Sequence, residues 1–304
     1  MSDLLKRVIV GVIGIPIGLG IIYIGGIVFT IALAILSSIA LWEYYSLFST
    51  KNYHPYKFFG IVLNNVLIFG FYLIHSLSKF KYDFFLFLFF ILCTVIILLS
   101  VGIISKRANS LINFAATLSG LIYVTFAFLT LNFIREFDLF FEWIQGNFFE
   151  VYSGVGEVGF FENIDSVWAA KLTIIMISSI WISDSFAYFV GIKFGKHKIL
   201  PSVSPKKSWE GFFGGFIGAI IGFTVLGNLL LPKIPLIHFF IMGLIVAVFG
   251  QIGDFAESKL KRDSGIKDSS SILPGHGGIL DRFDSLMFIS PLIFIYLILN
   301  IFLK

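Results

Sequence analysis

Residues 236–303 read LIHFFIMGLIVAVFGQIGDFAESKLKRDSGIKDSSSILPGHGGILDRFDSLMFISPLIFIYLILNIFL, and this stretch decides the fold. Two apolar runs, 236–256 and 285–303, are each long enough to cross the roughly 30 Å hydrocarbon core of a bilayer as a helix. The polar segment between them, residues 257–285, carries five basic and five acidic side chains in a chain that is only 13% charged. We therefore expect two membrane helices whose connection holds chemistry at the membrane surface.

The whole chain shares the apolar character of this stretch. Its 304 residues are 58% hydrophobic and include 38 phenylalanines, and the mean hydropathy is +0.96. Too little polar surface remains to cover a water-soluble core, so we predict a polytopic integral membrane protein. The net charge of +4 predicts no nucleic-acid partner, because Lys and Arg in membrane proteins mostly report topology. The single cysteine, Cys93, excludes an intramolecular disulfide and argues against a cysteine-based metal site.

Apolar windows of about 20 residues predict an all-α fold with about nine transmembrane helices. A basic pair, Lys6-Arg7, precedes the first window as in a signal peptide, but no small-residue cleavage site follows, so we expect a permanent span. The nine predicted spans are 8–25, 27–48, 58–77, 83–104, 110–133, 170–194, 211–231, 236–256 and 285–303. Together they form one helical membrane domain, 1–304, made of N-terminal spans (1–133), an extracytoplasmic loop (134–169) and a C-terminal region of spans and cytoplasmic loops (170–304).

The distribution of basic residues predicts the orientation. With nine spans, 16 of the 22 Lys and Arg residues fall on the side that holds the N-terminus. Basic residues are retained in the cytoplasm, so the N-terminus and the segment 257–285 are expected there, in the cell inner membrane. The connection 136–166 then lies outside. It contains seven of the 18 acids, and we expect a structural role with some interfacial helix around 137–149.

A second polar connection, Gly191–Gly211, reads GIKFGKHKILPSVSPKKSWEG and contains five lysines against one acid, Glu210. Such a loop is often only a topology signal. The sharper hypothesis is a phosphate site formed by Lys206 and Lys207 with backbone amides near the start of the next helix, which Ser208 can begin. A ladder of glycines follows and predicts a helix-packing face without a ligand; it consists of Gly211, Gly214, Gly215, Gly218 and Gly222.

The balanced charges of segment 257–285 suit a metal and polyphosphate site, because carboxylate oxygens hold Mg²⁺ and cations neutralise phosphate. Asp281 and Asp284 are three residues apart and would share one helix face.

Three further acids lie in or near the predicted spans. Asp184, inside an apolar run, is a functional candidate because an ionisable group is costly there; a structural hydrogen-bonded carboxylate is the alternative. Asp254 could pack beside the other two aspartates. Glu43, near the end of the second span, is interpreted as interfacial rather than catalytic.

Three segments resemble the phosphatidate cytidylyltransferases, also called CDP-diglyceride synthases. The first contains Ser258-x-Leu260-Lys261-Arg262, then Lys267-Asp268, then Leu273-Pro274-x-His276-Gly277-Gly278-Ile279-x-Asp281-Arg282-Phe283-Asp284. The second is Asp184-Ser185-x-Ala187-Tyr188 followed by Gly195-Lys196. The third is Ser204-Pro205-Lys206-Lys207-Ser208-Trp209-Glu210-Gly211, where the family usually has threonine in place of Ser208. The resemblance is specific over about residues 180–290, and the first 130 residues agree only in hydropathy.

The resemblance implies a divalent-metal-dependent reaction of CTP with phosphatidic acid at the bilayer, giving CDP-diacylglycerol and pyrophosphate. Mg²⁺ would be the cofactor, with room for a second, monovalent or divalent, cation, and a homodimer is suggested. Expected metal ligands are Asp254, Asp281 and Asp284. Expected catalytic residues are Asp281, Asp284, Lys267, Arg282 and His276. Expected substrate-binding residues are Ser204, Lys206, Lys207, Ser208, Ser258, Lys261, Arg262, Asp268, Gly277, Gly278, Asp184 and Tyr188.

Three alternatives stay open to different degrees. A secondary transporter of an organic anion would also have many helices, glycine-rich spans and an aspartate in the bilayer, but it explains less about the interleaved charges of 257–285. A CDP-alcohol phosphotransferase would need a D-G-x-x-A-R motif, which the sequence lacks. Lipid kinases distantly related to the family are the third alternative, and nucleotide competition would separate them.

Overall fold

The structure is a computed structural model that describes residues 3–77, 83–105, 108–144, 164–272 and 277–302. These residues form helices joined by turns, and they contain no β-strand beyond an isolated antiparallel bridge between Lys198 and Ser208. The predicted all-α class is therefore confirmed for the described part of the chain. The helices are α1 (Asp3–Ile24), α2 (Gly26–Ser49), α3 (Lys57–Leu77), α4 (Asp83–Ile104), α5 (Ser110–Gly120), α6 (Phe126–Arg135), α7 (Phe137–Ile144), α8 (Ser166–Phe194), α9 (Trp209–Leu230), α10 (Leu236–Asp263), α11 (Leu280–Phe283) and α12 (Leu286–Phe302).

The length and hydropathy of these helices support a multi-pass membrane protein. Within the described ranges, five helical stretches are long and apolar enough to span a bilayer: Gly26–Ser49, Ser110–Arg135, Ser166–Phe194, Trp209–Leu230 and Leu236–Asp263. The stretch Ser110–Arg135 combines α5, a π-helical segment (Leu121–Thr125) and α6. The other four predicted spans correspond to shorter apolar stretches of α1, α3, α4 and α12, namely Gly11–Ile24, Lys57–Gly70, Ile91–Ile104 and Leu286–Phe302. The count of nine and the cytoplasmic N-terminus stay predictions.

The glycine ladder packs α9 against α8, as predicted. Its five glycines are all buried, and the Ser183 hydroxyl of α8 donates a hydrogen bond of 3.0 Å to the Gly215 carbonyl of α9. Small residues let two helix backbones approach closely inside a membrane, where apolar side chains alone give little drive for association. Helix α10 packs against both α9 and α8, and the three helices form the scaffold of the C-terminal half.

A buried arginine closes the turn between α1 and α2. Arg135 at the end of α6 is fully buried, and its guanidinium donates to the backbone carbonyls of Ile22 and Tyr23, the latter at 2.9 Å. Glu136 beside it accepts a hydrogen bond of 2.7 Å from the Gly26 amide. Glu136, the first residue of the connection that we expect outside the membrane, is only 4% exposed, so its role in this turn is structural.

The predicted extracytoplasmic loop, 134–169, is partly helical. Helix α7 occupies Phe137–Ile144 and confirms a helix in the predicted place. Helix α8 begins at Ser166, four residues before the predicted start, because the Asp165 carboxylate caps it by accepting a 2.7 Å hydrogen bond from the Trp168 amide. Residues 145–163 lie outside the described residues.

The C-terminal helix α12 joins the N-terminal half through polar contacts in the core. The Ser290 hydroxyl, which is fully buried, donates to the Ala127 carbonyl of α6 at 2.8 Å. Thr130 of α6 lies 3.3 Å from the same hydroxyl. The helices that the resemblance covers are therefore built onto helices that it does not cover.

Gly25→Ala tests the Arg135 turn. Gly25 has φ +66°, and a methyl group there would collide with the Arg135 guanidinium, whereas at Gly26, with φ +56°, nothing lies within 4 Å of the added carbon. Both variants carry left-handed backbone strain of about 1–3 kcal/mol, and only Gly25→Ala adds the collision. We expect a lower thermal midpoint in detergent for Gly25→Ala than for Gly26→Ala. Equal midpoints would contradict this account of the turn.

Candidate functional site

A cavity of about 790 Å³ lies between α8, α9, α10 and the start of α12. The connection 195–208 closes one side of it. Six residues predicted from the sequence as site residues line it: Asp184, Tyr188, Lys206, Lys207, Ser208 and Asp254. Its lining also includes Lys198 and Gln251, which the sequence analysis did not single out. The volume falls within the usual range of small-molecule sites, and the lining places charged groups between membrane helices.

Glu210 shapes the connection 195–208. Its carboxylate accepts hydrogen bonds from the Lys196 amide at 3.1 Å and from the His197 amide at 3.3 Å, and it lies 2.6 Å from His197 Nδ1. Ser208 caps α9 by accepting a 3.2 Å hydrogen bond from the Gly211 amide, which confirms that it starts this helix. The single acid of a cationic connection therefore folds it back over the cavity.

Lys207 is the cation that reaches the carboxylates of the cavity. Its ammonium group forms an ion pair with Asp254 of α10 and lies 4.0 Å from the centroid of the Phe255 ring. Both contacts hold the ammonium near the cavity at the end of the connection. Lys206 is exposed on the same wall.

Three aspartates interact electrostatically around Lys207: Asp184 of α8, Asp254 of α10 and Asp284, which follows α11. Burial and the neighbouring Asp254 carboxylate raise the pKa of Asp284 to about 7. Like charges gathered in a partly buried site repel one another unless a cation joins them. Lys207 supplies one positive charge, and carboxylate oxygens are the ligands that a hard divalent cation prefers.

Asp281 belongs to a different set of contacts. The Lys261 ammonium lies 2.6 Å from Asp281 Oδ1 and 2.5 Å from Glu257 Oε2, and all three side chains are at most 11% exposed. The Gly278 and Ser269 amides also donate to the Asp281 carboxylate, at 2.7 Å and 3.0 Å. Burial raises the pKa of Asp281, but hydrogen bonds with Glu257, Lys261 and Gly278 outweigh it and lower this pKa to about 2.

The predicted metal set is therefore divided between two clusters. Asp254 and Asp284 share one cluster with Asp184, whereas Asp281 is paired with Lys261. Among the residues that the structure describes, no group of three or more His, Cys, Asp or Glu side chains is arranged to hold a metal ion. The assignment of Asp254, Asp281 and Asp284 as metal ligands stays a prediction.

The other predicted residues surround these clusters. The Ser258 hydroxyl donates to Asp254 Oδ1 at 3.5 Å. Arg262 Nε donates to the Val203 carbonyl at 3.2 Å, so it fastens the end of α10 to the connection 195–208. Ser204 accepts a hydrogen bond of 3.3 Å from the Lys207 amide through its carbonyl. Lys267, Asp268 and Arg282 are exposed, Gly277 and Gly278 lead into α11, and His276 lies outside the described residues.

Glu43 is a buried residue that the sequence did not mark as part of the site. It is 2% exposed, and it lies against α11 and the segment before it. Its position at the membrane interface stays a prediction. Its oxygens accept hydrogen bonds from the Ile279 amide at 3.1 Å and the Leu280 amide at 2.7 Å. No local pattern signals this contact, because the partners are more than 230 residues away in the chain. The only hint was an acid in an apolar run.

Sequence comparison gives the family. A sequence model described as the Cytidylyltransferase family matches residues 5–300, nearly the whole chain. This chain belongs to the cytidylyltransferase family. The match includes α2 and α6, which the resemblance in local motifs did not reach.

Relatives within the cytidylyltransferase family carry a more specific name. A phosphatidate cytidylyltransferase from Bacillus subtilis (strain 168) is 33% identical over 304 residues, which cover 99% of this chain and all of that protein. A phosphatidate cytidylyltransferase from Thermotoga maritima is 42% identical over 144 residues, 45% of this chain and 53% of that protein. One from Staphylococcus saprophyticus is 50% identical over 119 residues, 39% of this chain and 46% of that protein.

Lys261→Met tests the second cluster. It would leave the Glu257 and Asp281 carboxylates without their shared cation, and breaking a buried ion pair from one side typically costs about 3–5 kcal/mol. We expect a clear fall in thermal midpoint in detergent, partly restored in Lys261→Met/Glu257→Gln. Lys259→Met is the matched control, because its pair with Asp263 is more than half exposed on both sides and should matter by less than about 1 kcal/mol. Equal midpoints for the two lysine variants would contradict the cluster.

Proposed function

We propose that this chain is a phosphatidate cytidylyltransferase, which transfers the cytidylyl group of CTP to phosphatidic acid and gives CDP-diacylglycerol and pyrophosphate in phospholipid biosynthesis. The observation that carries the proposal is the cavity between α8, α9 and α10, where lysines and aspartates face each other among membrane helices. Family membership and the full-length similarity to the Bacillus subtilis protein support the same reaction.

The reaction needs two anionic groups brought together. A phosphate oxygen of phosphatidic acid attacks the α-phosphorus of CTP and forms a new phosphorus–oxygen bond. The bond between the α-phosphorus and the oxygen that bridges it to the β-phosphate breaks, and pyrophosphate leaves. The attacking phosphate is already anionic at neutral pH, so no side chain is required as a general base. Positioning and charge neutralisation remain as the tasks of the protein. Lys206 and Lys207 on the cavity wall, with Arg282, which interacts electrostatically with Asp184, would neutralise the phosphates.

Mg²⁺ is part of the proposal. When bound, it would neutralise phosphate charge and act as a Lewis acid. The Asp254 and Asp284 carboxylates fit such an ion, because their mutual repulsion calls for a cation beyond Lys207. Asp281 would join them only if its pair with Lys261 opened, so its first task in this fold is to hold the segment before α11. A second cation, monovalent or divalent, is compatible with the number of acids.

Orientation and assembly complete the proposal. The cavity would open to the cytoplasm, where CTP is present, and its position among membrane helices would give a lipid phosphate access from the bilayer. Supporting this, 16 of the 22 basic residues fall on the side of the connection 195–208 when nine spans are counted. The resemblance to the family supports a homodimer.

Purified protein in detergent should convert CTP and phosphatidic acid to CDP-diacylglycerol with Mg²⁺ and lose this activity in EDTA. Asp281→Asn/Asp284→Asn should lower kcat by at least ~10²-fold, because preorganised charge at phosphoryl groups dominates such reactions. Asp263→Asn is the matched control, because this aspartate is exposed and pairs only with Lys259 among the described residues. Full activity of the double variant would remove these aspartates from the site.

An absence of product with any CTP and lipid-phosphate pair would favour an anion transporter, for which Asp184 in the cavity would be ordinary.

Cysteine labelling tests the orientation. In a Cys93→Ala background, Lys267→Cys and Lys233→Cys place single thiols at exposed positions in the connections that follow α10 and α9. A membrane-impermeant maleimide should label Lys233→Cys in intact cells and Lys267→Cys only after disruption. The opposite pattern would place the cavity on the outer face and contradict access to CTP.

A further inference from the structure

Among the described residues, the hydrogen bonds of the Glu43 side chain all go to one distant segment. Four donors lie within reach of this carboxylate, which stands on α2 in the N-terminal half, and one of them is shared with Asp281. The donors are the Ser269 hydroxyl at 3.2 Å, the Ser270 hydroxyl at 2.5 Å, the Ile279 amide at 3.1 Å and the Leu280 amide at 2.7 Å. A buried carboxylate is costly unless its lone pairs are used, and here two oxygens receive four donors.

The four donors lie at both ends of the segment 269–280. One carboxylate therefore joins the beginning of this segment to its end, where α11 starts. Helix α11 carries Asp281, and Asp284 follows it at the first turn before α12. The positions of both aspartates depend on where the segment ends, and Glu43 fixes that end.

A hydroxyl links Glu43 to Asp281 directly. Ser269 Oγ lies 3.2 Å from Glu43 Oε2 and 3.0 Å from Asp281 Oδ2, so the two carboxylates share one serine. Gly278 lies between them: a methyl group there would come within 2.6 Å of both Glu43 oxygens and 2.0 Å of Ser269 Oγ. These three oxygens, two from Glu43 and one from Ser269, leave no room for a side chain at Gly278 unless one of the two groups shifts.

Glu43 is nevertheless separate from the cavity. It does not line the space between α8, α9 and α10, and its oxygens are already occupied by the segment 269–280. A role in direct contact with substrate does not fit this geometry. We propose that Glu43 is a positioning residue for cytidylyl transfer: it holds the segment 269–280 so that Asp281 and Asp284 stand in their working places. The inference rests on the proposed function.

We call the hydrogen bonds from Glu43 to both ends of the segment 269–280 the clamp. Glu43→Gln tests this clamp while leaving the side-chain volume almost unchanged. The amide offers one acceptor oxygen in place of two and turns an NH₂ group toward N–H or O–H donors. Partners that orient site carboxylates are typically worth 10–100-fold in activity or metal affinity. We expect kcat to fall 10–100-fold, the Mg²⁺ concentration for half-maximal activity to rise, and the KM for CTP to stay within about threefold. Glu43→Asp, which keeps the charge, should recover part of the loss.

Glu136→Gln is the matched control. Glu136 is similarly buried, at 4% exposed against 2% for Glu43, and it also accepts a hydrogen bond from a backbone amide, but it lies at the α1–α2 turn and does not line the cavity. It should lower the thermal midpoint in detergent without changing kcat or the Mg²⁺ requirement. If Glu43→Gln behaves in the same way, Glu43 is only a structural residue and the proposal is overturned.

A second measurement does not depend on activity. In a Cys93→Ala background, Ser271→Cys places one thiol in the exposed part of the clamped segment. Adding Glu43→Gln should speed its reaction with maleimide severalfold, and adding Glu136→Gln should not. An unchanged rate would overturn the clamp. If the unsubstituted protein makes no CDP-diacylglycerol, the proposed function fails, while the labelling rate still decides whether Glu43 holds the segment.

Ser269→Ala covers the case in which Glu43→Gln does not fold. This variant removes the hydroxyl that Glu43 and Asp281 share, and it leaves the hydrogen bonds from the Ile279 and Leu280 amides to Glu43 in place. We expect a severalfold loss of kcat with a thermal midpoint close to that of the unsubstituted protein. Full kcat and an unchanged Mg²⁺ requirement in this variant would contradict the link between the two carboxylates.

Discussion

A charged group that leaves water inside a membrane protein must find a partner, and this constraint organises the structure. The Arg135 guanidinium donates hydrogen bonds to two backbone carbonyls at the α1–α2 turn. Lys261 lies between the Glu257 and Asp281 carboxylates, and Glu43 collects four donors from one segment. The cavity is the exception. There Asp184 and Asp254, with Asp284 nearby, interact with one another, and among the described residues only Asp254 is in an ion pair with a lysine, Lys207. In the proposed function, bound Mg²⁺ and phosphate groups would complete the balance of charge.

The scaffold around the cavity depends on close helix contact. Glycines on α9 let it approach α8, and this approach brings Asp184 of α8 beside the connection that carries Lys207. Asp254 reaches the same space from α10. Each element brings one charged group, so the arrangement exists only when three helices and the start of α12 pack together. The rigidity of membrane helices suits a reaction whose main demand is placement.

The sequence predicted the helical class, the glycine ladder and the start of α9 at Ser208. It named Asp184, Lys207 and Asp254 as site residues, and the structure places all three around one cavity. These follow from local periodicity, capping and motif resemblance, which act over a few residues. It predicted that Asp281 would lie beside Asp254, whereas Asp281 forms an ion pair with Lys261. A spacing of three residues between two aspartates does not tell which neighbour each carboxylate faces. It did not predict that Glu43 and Glu136 are buried, because each is bound by a partner far along the chain.

The turn between α1 and α2 has a consequence for how the protein enters the membrane. Its polar groups are satisfied by Arg135 and Glu136, and Glu136 stands 110 residues after the amide that it binds. During synthesis, α1 and α2 leave the ribosome long before α6. The contacts that satisfy this turn cannot form until α6 has been made. The first helix pair is therefore completed by a later helix and not by its own residues.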